Sequence, residues 1–254
     1  MELRLDLPTK TTDLSGKQLQ LVSWLFLQGY SETEFLLKAF MHLSGLRLIT
    51  DRDPEADGAR WYKHRSLKRP FVLDSELLAE MSKRCGFLLK PDEFHPLPWI
   101  RKARARHFRL YNASFEEYLM AENFYLAYVE TKADEHLDNL IACLYRPIWQ
   151  RWNASKIQQR AKRFRSADPA IKNTVFMWYV GFRTYVPKRC KTLFTPGKKS
   201  KRPFHPREYI NGMIHQLNNG DITIKDKLMK QPAWDALDEL EQRAIDHELA
   251  MENK

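Results

Sequence analysis

Residues 134–147, DEHLDNLIACLYRP, combine a helix start, an apolar face and a helix stop in one short stretch. Four aliphatic side chains recur at the spacing i, i+3, i+4 and i+7, which puts them on one face of an α-helix. They are Leu137, Leu140, Ile141 and Leu144. Two carboxylates at the start complement the positive end of the helix dipole, and Pro147 disfavours helical backbone at Arg146. We therefore predict a core helix that ends at Arg146.

Capping boxes extend this interpretation along the chain. In such a box a serine is followed three residues later by Glu or Gln, and the two side chains satisfy backbone donors at a helix start. Four boxes occur at apolar-periodic segments: Ser15/Gln18, Ser31/Glu34, Ser114/Glu117 and Ser155/Gln158. With glycine and proline as stop signals, the predicted helices are 15–28, 31–44, 75–85, 115–131, 134–146, 155–165, 169–186, 207–218 and 223–250, the last interrupted at Pro232.

Two short segments near the N-terminus have the composition of β-strands. LRLIT (46–50) and RWYKHR (60–65) flank an acidic loop, which predicts a β-hairpin. ELRLDL (2–7) alternates leucine with polar residues and is the predicted third strand. The fold class is therefore mainly α (α+β), a helical bundle with a small N-terminal antiparallel β element.

These patterns divide the chain into five consecutive regions. Their boundaries follow the changes in periodicity, proline content and charge. The regions are an N-terminal helical hairpin plus small β element (1–86), an irregular basic segment (87–113), a helical core (114–186), a basic flexible loop (187–206) and C-terminal helices with an acidic tail (207–254).

Composition narrows the class of protein. Hydrophobic residues make up 43% of the 254 residues, which is enough for a packed core. The three cysteines form no CxxC pair, which argues against a disulfide framework and a cysteine zinc site and favours a reducing compartment.

The N-terminus lacks the apolar core of a secretion signal. Since no long uncharged apolar run occurs, we expect no membrane span.

The charge of the chain is large and uneven. The formal net charge is +10. Residues 233–254 hold seven carboxylates against two cations, which leaves a net charge of +15 on residues 1–232. Such an excess suits contact with nucleic acid or another polyanion.

Two basic clusters are the candidate contacts for a polyanion or a partner protein. RKARARHFR (101–109) interleaves cations with an aromatic side chain, as phosphate-tracking surfaces do. Its Arg104 and Arg106 are expected on one strand face, and the second cluster on one helical face. The candidate residues are Arg101, Lys102, Arg104, Arg106, Arg109, Lys156, Arg160 and Arg163. Two alternatives to polyanion binding explain the same charges. The clusters are either solvated basic surface or a surface that contacts the acidic C-terminal helix.

Catalytic motifs are missing from the sequence. It contains no HExxH, GxSxG, GxGxxG, phosphate-loop or EF-hand pattern. Cys143 lies within the predicted core helix, with no histidine or acid placed by sequence to activate it, so we expect it to be packed rather than nucleophilic. We therefore expect a non-enzymatic protein without cofactor or metal.

The segment SFEEYLMAENFYLAYVETKADEHLDNLIACLYRP (114–147) resembles uncharacterised phage and prophage proteins of Bacteroidetes. The likeness is carried by its aromatic-acidic helix, its apolar face and its LYRP end, and continues patchily through 34–46, 177–183 and 232–244. The resemblance implies a phage interaction protein of the tail module, either a tail-assembly factor or a virion structural component. Its partners would be other phage structural or assembly proteins or a second copy of this chain, in the host cytoplasm or the virion. A nucleic-acid-binding protein using the basic clusters is the alternative.

Overall fold

The computed structural model describes residues 5–50, 59–90, 94–195 and 206–252, and this part of the chain is mainly helical. Its α-helices are α1 (Gly16–Leu27), α2 (Glu32–Ser44), α3 (Ser75–Ser82), α4 (Phe115–Thr131), α5 (Asp134–Leu144), α6 (Ile157–Ala161), α7 (Pro169–Arg189), α8 (Pro206–Asn218), α9 (Lys225–Lys230) and α10 (Ala233–Glu252). Two small three-stranded antiparallel sheets accompany them. The predicted mainly α fold class is confirmed.

The centre of the fold is α5, which packs against α4, α6 and α7. Its four predicted aliphatic side chains are buried, as expected. Asp138, Asn139, Ala142 and Cys143 on its other sides are buried too, so this helix has no solvated face beyond its first turn. The buried charge of Asp138 is matched by Lys172 of α7, whose Nζ lies 2.7 Å from Oδ1.

The end of α5 differs from the prediction. The helix was expected to reach Arg146 but ends at Leu144, and Tyr145–Arg146 form strand β6. Tyr145 has φ −123° and ψ 127°, which is extended backbone. The reason is that Pro147 disfavours helical backbone at the residue before it. A neighbouring strand supplies hydrogen-bond partners for the extended backbone.

That neighbour belongs to a sheet in the segment predicted to be irregular (87–113). Strands β4 (Trp99–Ile100) and β5 (Ala103–Ala105) form a hairpin, and β6 pairs with β5. Strands of two or three residues are too short to show the alternation that identifies strands in sequence. The third strand comes from the far end of α5, a pairing that no local pattern reveals.

The N-terminal sheet contains the predicted hairpin. Strand β1 (Arg47–Leu48) pairs with β2 (Arg60–Lys63), and β2 pairs with β3 (Phe71–Leu73). The third strand is therefore β3 and not the predicted 2–7. Of that segment, residues 5–7 are not in a strand, and the rest lies outside the described residues, as does the acidic loop 51–58.

Helix ends confirm most of the capping signals. The boxes that begin at Ser15, Ser31 and Ser114 are formed. The box at Ser155 is not, because the Asn153 side chain accepts from the Ser155 N–H and a 3₁₀ turn precedes α6. Gly45 ends α2 at φ 76°, a left-handed conformation that favours glycine.

The basic loop predicted over 187–206 begins later than expected. Helix α7 continues through Pro187 to Arg189, and residues 196–205 lie outside the described part. Pro232 separates α9 from α10 as predicted. None of the helices in the described ranges is both long and apolar enough to cross a membrane.

Candidate nucleic-acid interface

The β4–β5 turn presents two cations at its tip. Ile100 pairs with Ala103, so Arg101 and Lys102 alone form the turn. Their φ angles are 45° and 63°, in the left-handed region that costs a non-glycine residue roughly 1–2 kcal/mol. Turns of this shape usually carry Asn-Gly. The turn therefore holds two non-glycine residues in a strained conformation at an exposed basic tip.

The Arg101 side chain joins this turn to the second basic cluster. Its Nη1 donates to the Arg163 carbonyl at 2.6 Å, and its Nη2 donates to the Ser166 carbonyl at 2.7 Å. The hydrogen bond from Arg101 to Arg163 joins residues that are 62 positions apart in sequence. The two basic clusters therefore lie on one surface. Lys102 and Arg163 are exposed there.

A cross-strand row continues this surface over the second sheet. Arg104 of β5 lies opposite Trp99 on one side and Arg146 on the other. Directly opposed residues share a sheet face, and Ile100 and Ala103 face the core instead. Trp99 is 50% exposed, and Arg104 is exposed beside it. We call Trp99, Arg101, Lys102, Arg104 and Arg163 the basic face.

A cavity of about 460 Å³ opens next to this row. Arg104, Arg106 and Arg146 line it. Because β5 ends at Ala105, Arg106 lies outside the strand, and the predicted strand face shared by Arg104 and Arg106 is not formed. His95 and Phe108 also line the cavity, and their rings stack with centres 4.3 Å apart at an interplanar angle of 20°. We call this recess the arginine cavity.

Glu117 holds two of the cavity arginines. Arg106 and Arg146 both donate to its Oε1, while its Oε2 accepts from the Ser114 N–H at 3.0 Å. The Glu117 side chain is only 3% exposed. Burial lowers the pKa of Arg146, with Glu117 opposing and Arg106 reinforcing that shift. Arg106 is thus part of a buried ion-pair cluster and not an independent surface contact.

Arg160, a predicted contact residue, is buried. It is 3% exposed, its Nε donates to the Ala142 carbonyl at 3.1 Å, and its guanidinium lies 5.3 Å from the Trp152 ring centre. The expectation of an exposed helical face at Lys156, Arg160 and Arg163 therefore needs correction, because Arg160 anchors α6 to α5 and only the other two are exposed.

Arg109 belongs to a different environment. It donates to the Tyr185 hydroxyl at 3.2 Å, and its guanidinium lies 4.1 Å from the centre of that ring. Tyr185 is on α7, so Arg109 packs against the helical core. The structure thus places Arg109 in packing contacts apart from the basic face.

The acidic helix α10 does not meet the second basic cluster in the described residues. Asp238 of α10 pairs with Arg189 at the end of α7, and Glu241 accepts from the Thr192 and Leu193 N–H groups at 2.9 and 2.6 Å. These contacts tie α10 to the end of α7. The basic face therefore keeps its charge within the described chain.

Exposed apolar residues near the cavity were missed by sequence reasoning. Ile148 lines the arginine cavity, and Trp149 is 79% exposed. Both follow directly on the helix stop at Pro147, in a segment without periodicity. Arg146 was also missed, because it becomes a cavity residue only through the pairing of β6 with β5.

The described residues hold no group of three or more His, Cys, Asp or Glu side chains placed to bind a metal ion. The three cysteines are buried. Burial raises the pKa of Cys85 and of Cys190 to about 11, and raises that of Cys143 further. Because the thiolate is the nucleophilic form, these thiols are poorly suited to catalysis.

Comparison of the chain with protein families, with curated proteins and with solved structures found no match.

Proposed function

We propose that this is a non-enzymatic nucleic-acid-binding protein that contacts its ligand through the basic face. The observation that carries the proposal is the docking of Arg101 on the backbone at Arg163 and Ser166, which joins two separate basic clusters into one exposed surface. Cations at the phosphate backbone supply the sequence-independent part of nucleic-acid affinity.

The exposed tryptophans favour a single-stranded ligand. Trp99 lies directly opposite Arg104, so a ring and a guanidinium are adjacent on the same sheet face. Trp149, which follows the cavity residue Ile148 in sequence, is also exposed. Unpaired bases stack on such rings while their phosphates contact neighbouring cations, a combination typical of single-strand binding.

The proposal predicts salt-sensitive binding of a single-stranded oligonucleotide, measured by fluorescence anisotropy. The triple variant Lys102→Ala/Arg104→Ala/Arg163→Ala should bind more weakly, and its slope of log affinity against log salt should fall by roughly one unit per lost phosphate contact. Trp149→Ala should weaken binding about 5- to 100-fold if a base stacks on that ring.

A charge-matched variant provides the control. Lys17→Ala/Lys83→Ala/Lys227→Ala removes the same number of exposed cations, none of which belongs to the basic face. It should keep the affinity and the salt slope of the unmodified protein. If both triple variants lose the same affinity for the oligonucleotide, binding depends on net charge and not on the basic face. Absence of oligonucleotide binding at low salt would contradict the proposal.

A second candidate is the phage or prophage interaction protein implied by the sequence resemblance, a tail-assembly factor or virion component acting in the host cytoplasm or the virion. One observation favours a protein contact: α1 exposes Trp24, Phe26 and Leu27, three large apolar side chains. Tryptophan is enriched among the residues that dominate interface energies.

This candidate predicts that the chain copurifies with a virion-derived partner or forms a defined oligomer. Light scattering coupled to size-exclusion chromatography and affinity capture from infected cells would show it. Trp24→Ala should weaken the association, whereas Leu77→Ala, an exposed leucine on α3, should not. A monomer with no virion-derived partner would contradict the candidate.

A further inference from the structure

The arginine cavity is lined by three guanidinium groups and by no carboxylate among the described residues. Glu117 forms ion pairs with Arg106 and Arg146 but does not line the cavity, and it offsets one of the three positive charges. Two positive charges therefore remain around a recess of about 460 Å³. Pockets of that size hold small ligands or single groups of larger ones.

Two buried guanidinium donors lack a hydrogen-bond partner within the described residues, and only one of them belongs to a cavity residue. Arg106 Nε is buried and has no hydrogen-bond partner in the described part of the chain, and the same is true of Arg160 Nη2. Arg160 lies close enough to Arg106 and Glu117 for their charges to affect its pKa, which burial lowers. A buried donor without a partner destabilises a protein. An oxyanion beside Arg106 and Arg146 would place negative charge next to these guanidinium groups, while Arg106 Nε itself is enclosed by protein atoms.

The remaining wall of the cavity suits an organic group. Phe108 is held in place by Trp178, whose Nε1 donates to the Phe108 carbonyl at 2.8 Å. The ring centres of His107 and Phe108 are 4.7 Å apart, and His107 and Ile148 also line the cavity. A planar ring carried by the anion could therefore lie against these side chains.

We propose that the arginine cavity binds a phosphomonoester. This group carries close to two negative charges at neutral pH, which matches the two charges that Glu117 leaves uncompensated. Arginine forks bind phosphate oxygens in pairs. A phosphodiester carries one charge and would leave a positive charge in the recess. The source is either the terminal phosphate of a nucleic-acid strand, which rests on the proposed function, or a free mononucleotide, which does not.

Calorimetry and thermal unfolding of the full chain test this proposal at constant ionic strength, with chloride as the reference anion. Inorganic phosphate at about 100 times its Kd should raise the unfolding temperature by roughly 5 °C. A 5′-phosphorylated oligonucleotide binding about tenfold tighter than its 5′-hydroxyl counterpart identifies a strand end as the source. Tight binding of adenosine 5′-monophosphate without that preference identifies the free nucleotide.

Two variants should move the phosphate affinity in opposite directions. Arg146→Gln should weaken phosphate binding about tenfold or more. Glu117→Gln removes the competing carboxylate yet still accepts from the Ser114 N–H, because glutamine also completes a capping box. This variant should bind phosphate about tenfold tighter and should gain more thermal stability from phosphate than the unmodified protein. Glu130→Gln, an exposed site on α4, carries the same charge change and should leave the affinity unaltered.

If Glu117, Arg106 and Arg146 have a purely structural role, Arg146→Gln and Glu117→Gln should both be less stable than the unmodified protein. Phosphate should then leave the unfolding temperature of both variants unchanged. That result, or equal stabilisation by chloride and phosphate, overturns the site. Equal affinity for 5′-phosphorylated and 5′-hydroxyl oligonucleotides, together with an unfolding temperature that inorganic phosphate does not change, would contradict the phosphomonoester site. The proposed role of the basic face would still stand. Phosphate binding without oligonucleotide binding overturns the proposed function and leaves the site intact.

Discussion

Lys172→Met is expected to lower the free energy of unfolding by about 3–5 kcal/mol, since it leaves a buried carboxylate without its cation. Lys172 Nζ lies 2.7 Å from Asp138 Oδ1, and the two side chains are 7% and 5% exposed. Asp134, 3.9 Å from the same Nζ, is largely exposed and contributes little. The pair connects α7 to the central helix α5. Urea unfolding followed by circular dichroism measures the loss.

An exposed ion pair and a double variant test the interpretation. Lys83 and Glu80 are 2.5 Å apart but 71% and 69% exposed, so Lys83→Met should cost only about 0–1 kcal/mol. Lys172→Met/Asp138→Leu should recover much of the lost stability, because an apolar pair needs no charge compensation. A Lys172→Met protein within about 1 kcal/mol of the original would show that Asp138 is hydrated rather than buried.

Leu140→Ala is expected to destabilise the protein by about 2–5 kcal/mol, the range for a fully buried leucine that leaves a cavity. Leu140 is completely buried in the middle of α5, which α4, α6 and α7 surround. Because β6 follows directly on α5, loosening this helix should also disturb the placement of Arg146 and weaken any ligand of the arginine cavity.

The matched control is Leu77→Ala, in which the leucine is 47% exposed and should cost well under 1 kcal/mol. Chemical denaturation curves with a common slope would allow direct comparison of the two variants. If the two substitutions cost the same, α5 is not the centre of the core. Loss of stability in Leu140→Ala without any effect on phosphate binding would separate the core from the cavity.

Local signals in the sequence predicted much of the helical framework. Ser31 and Gly45 mark the ends of α2 because capping chemistry depends on residues within one turn of the helix end. The apolar face of α5 followed from the spacing of its aliphatic residues. The burial of Asp138 did not, since only the packing of α7 against α5 supplies a partner for its charge.

The candidate site was predictable in composition but not in arrangement. The basic clusters at 101–109 and around 160 were visible as runs of cations, yet their residues divide into several environments. Arg101 joins the two clusters on the surface, Arg106 enters a buried ion-pair cluster, and Arg160 anchors α6. Arginine is suited to such different environments, because its long apolar stem packs while its guanidinium group donates to carbonyls or carboxylates.

The sequence alone therefore determined the mainly helical class, most helix boundaries, the core face of α5 and the excess of positive charge, because each depends on neighbours in the chain. The tertiary structure decided which cations remain exposed and what surrounds them. The LYRP end of α5 illustrates the division: Pro147 predicts a stop, but the pairing of β6 with β5 turns Arg146 into a cavity residue opposite Arg104. Pairing of this kind depends on residues about forty positions apart, such as Arg104 and Arg146, and no local pattern encodes it.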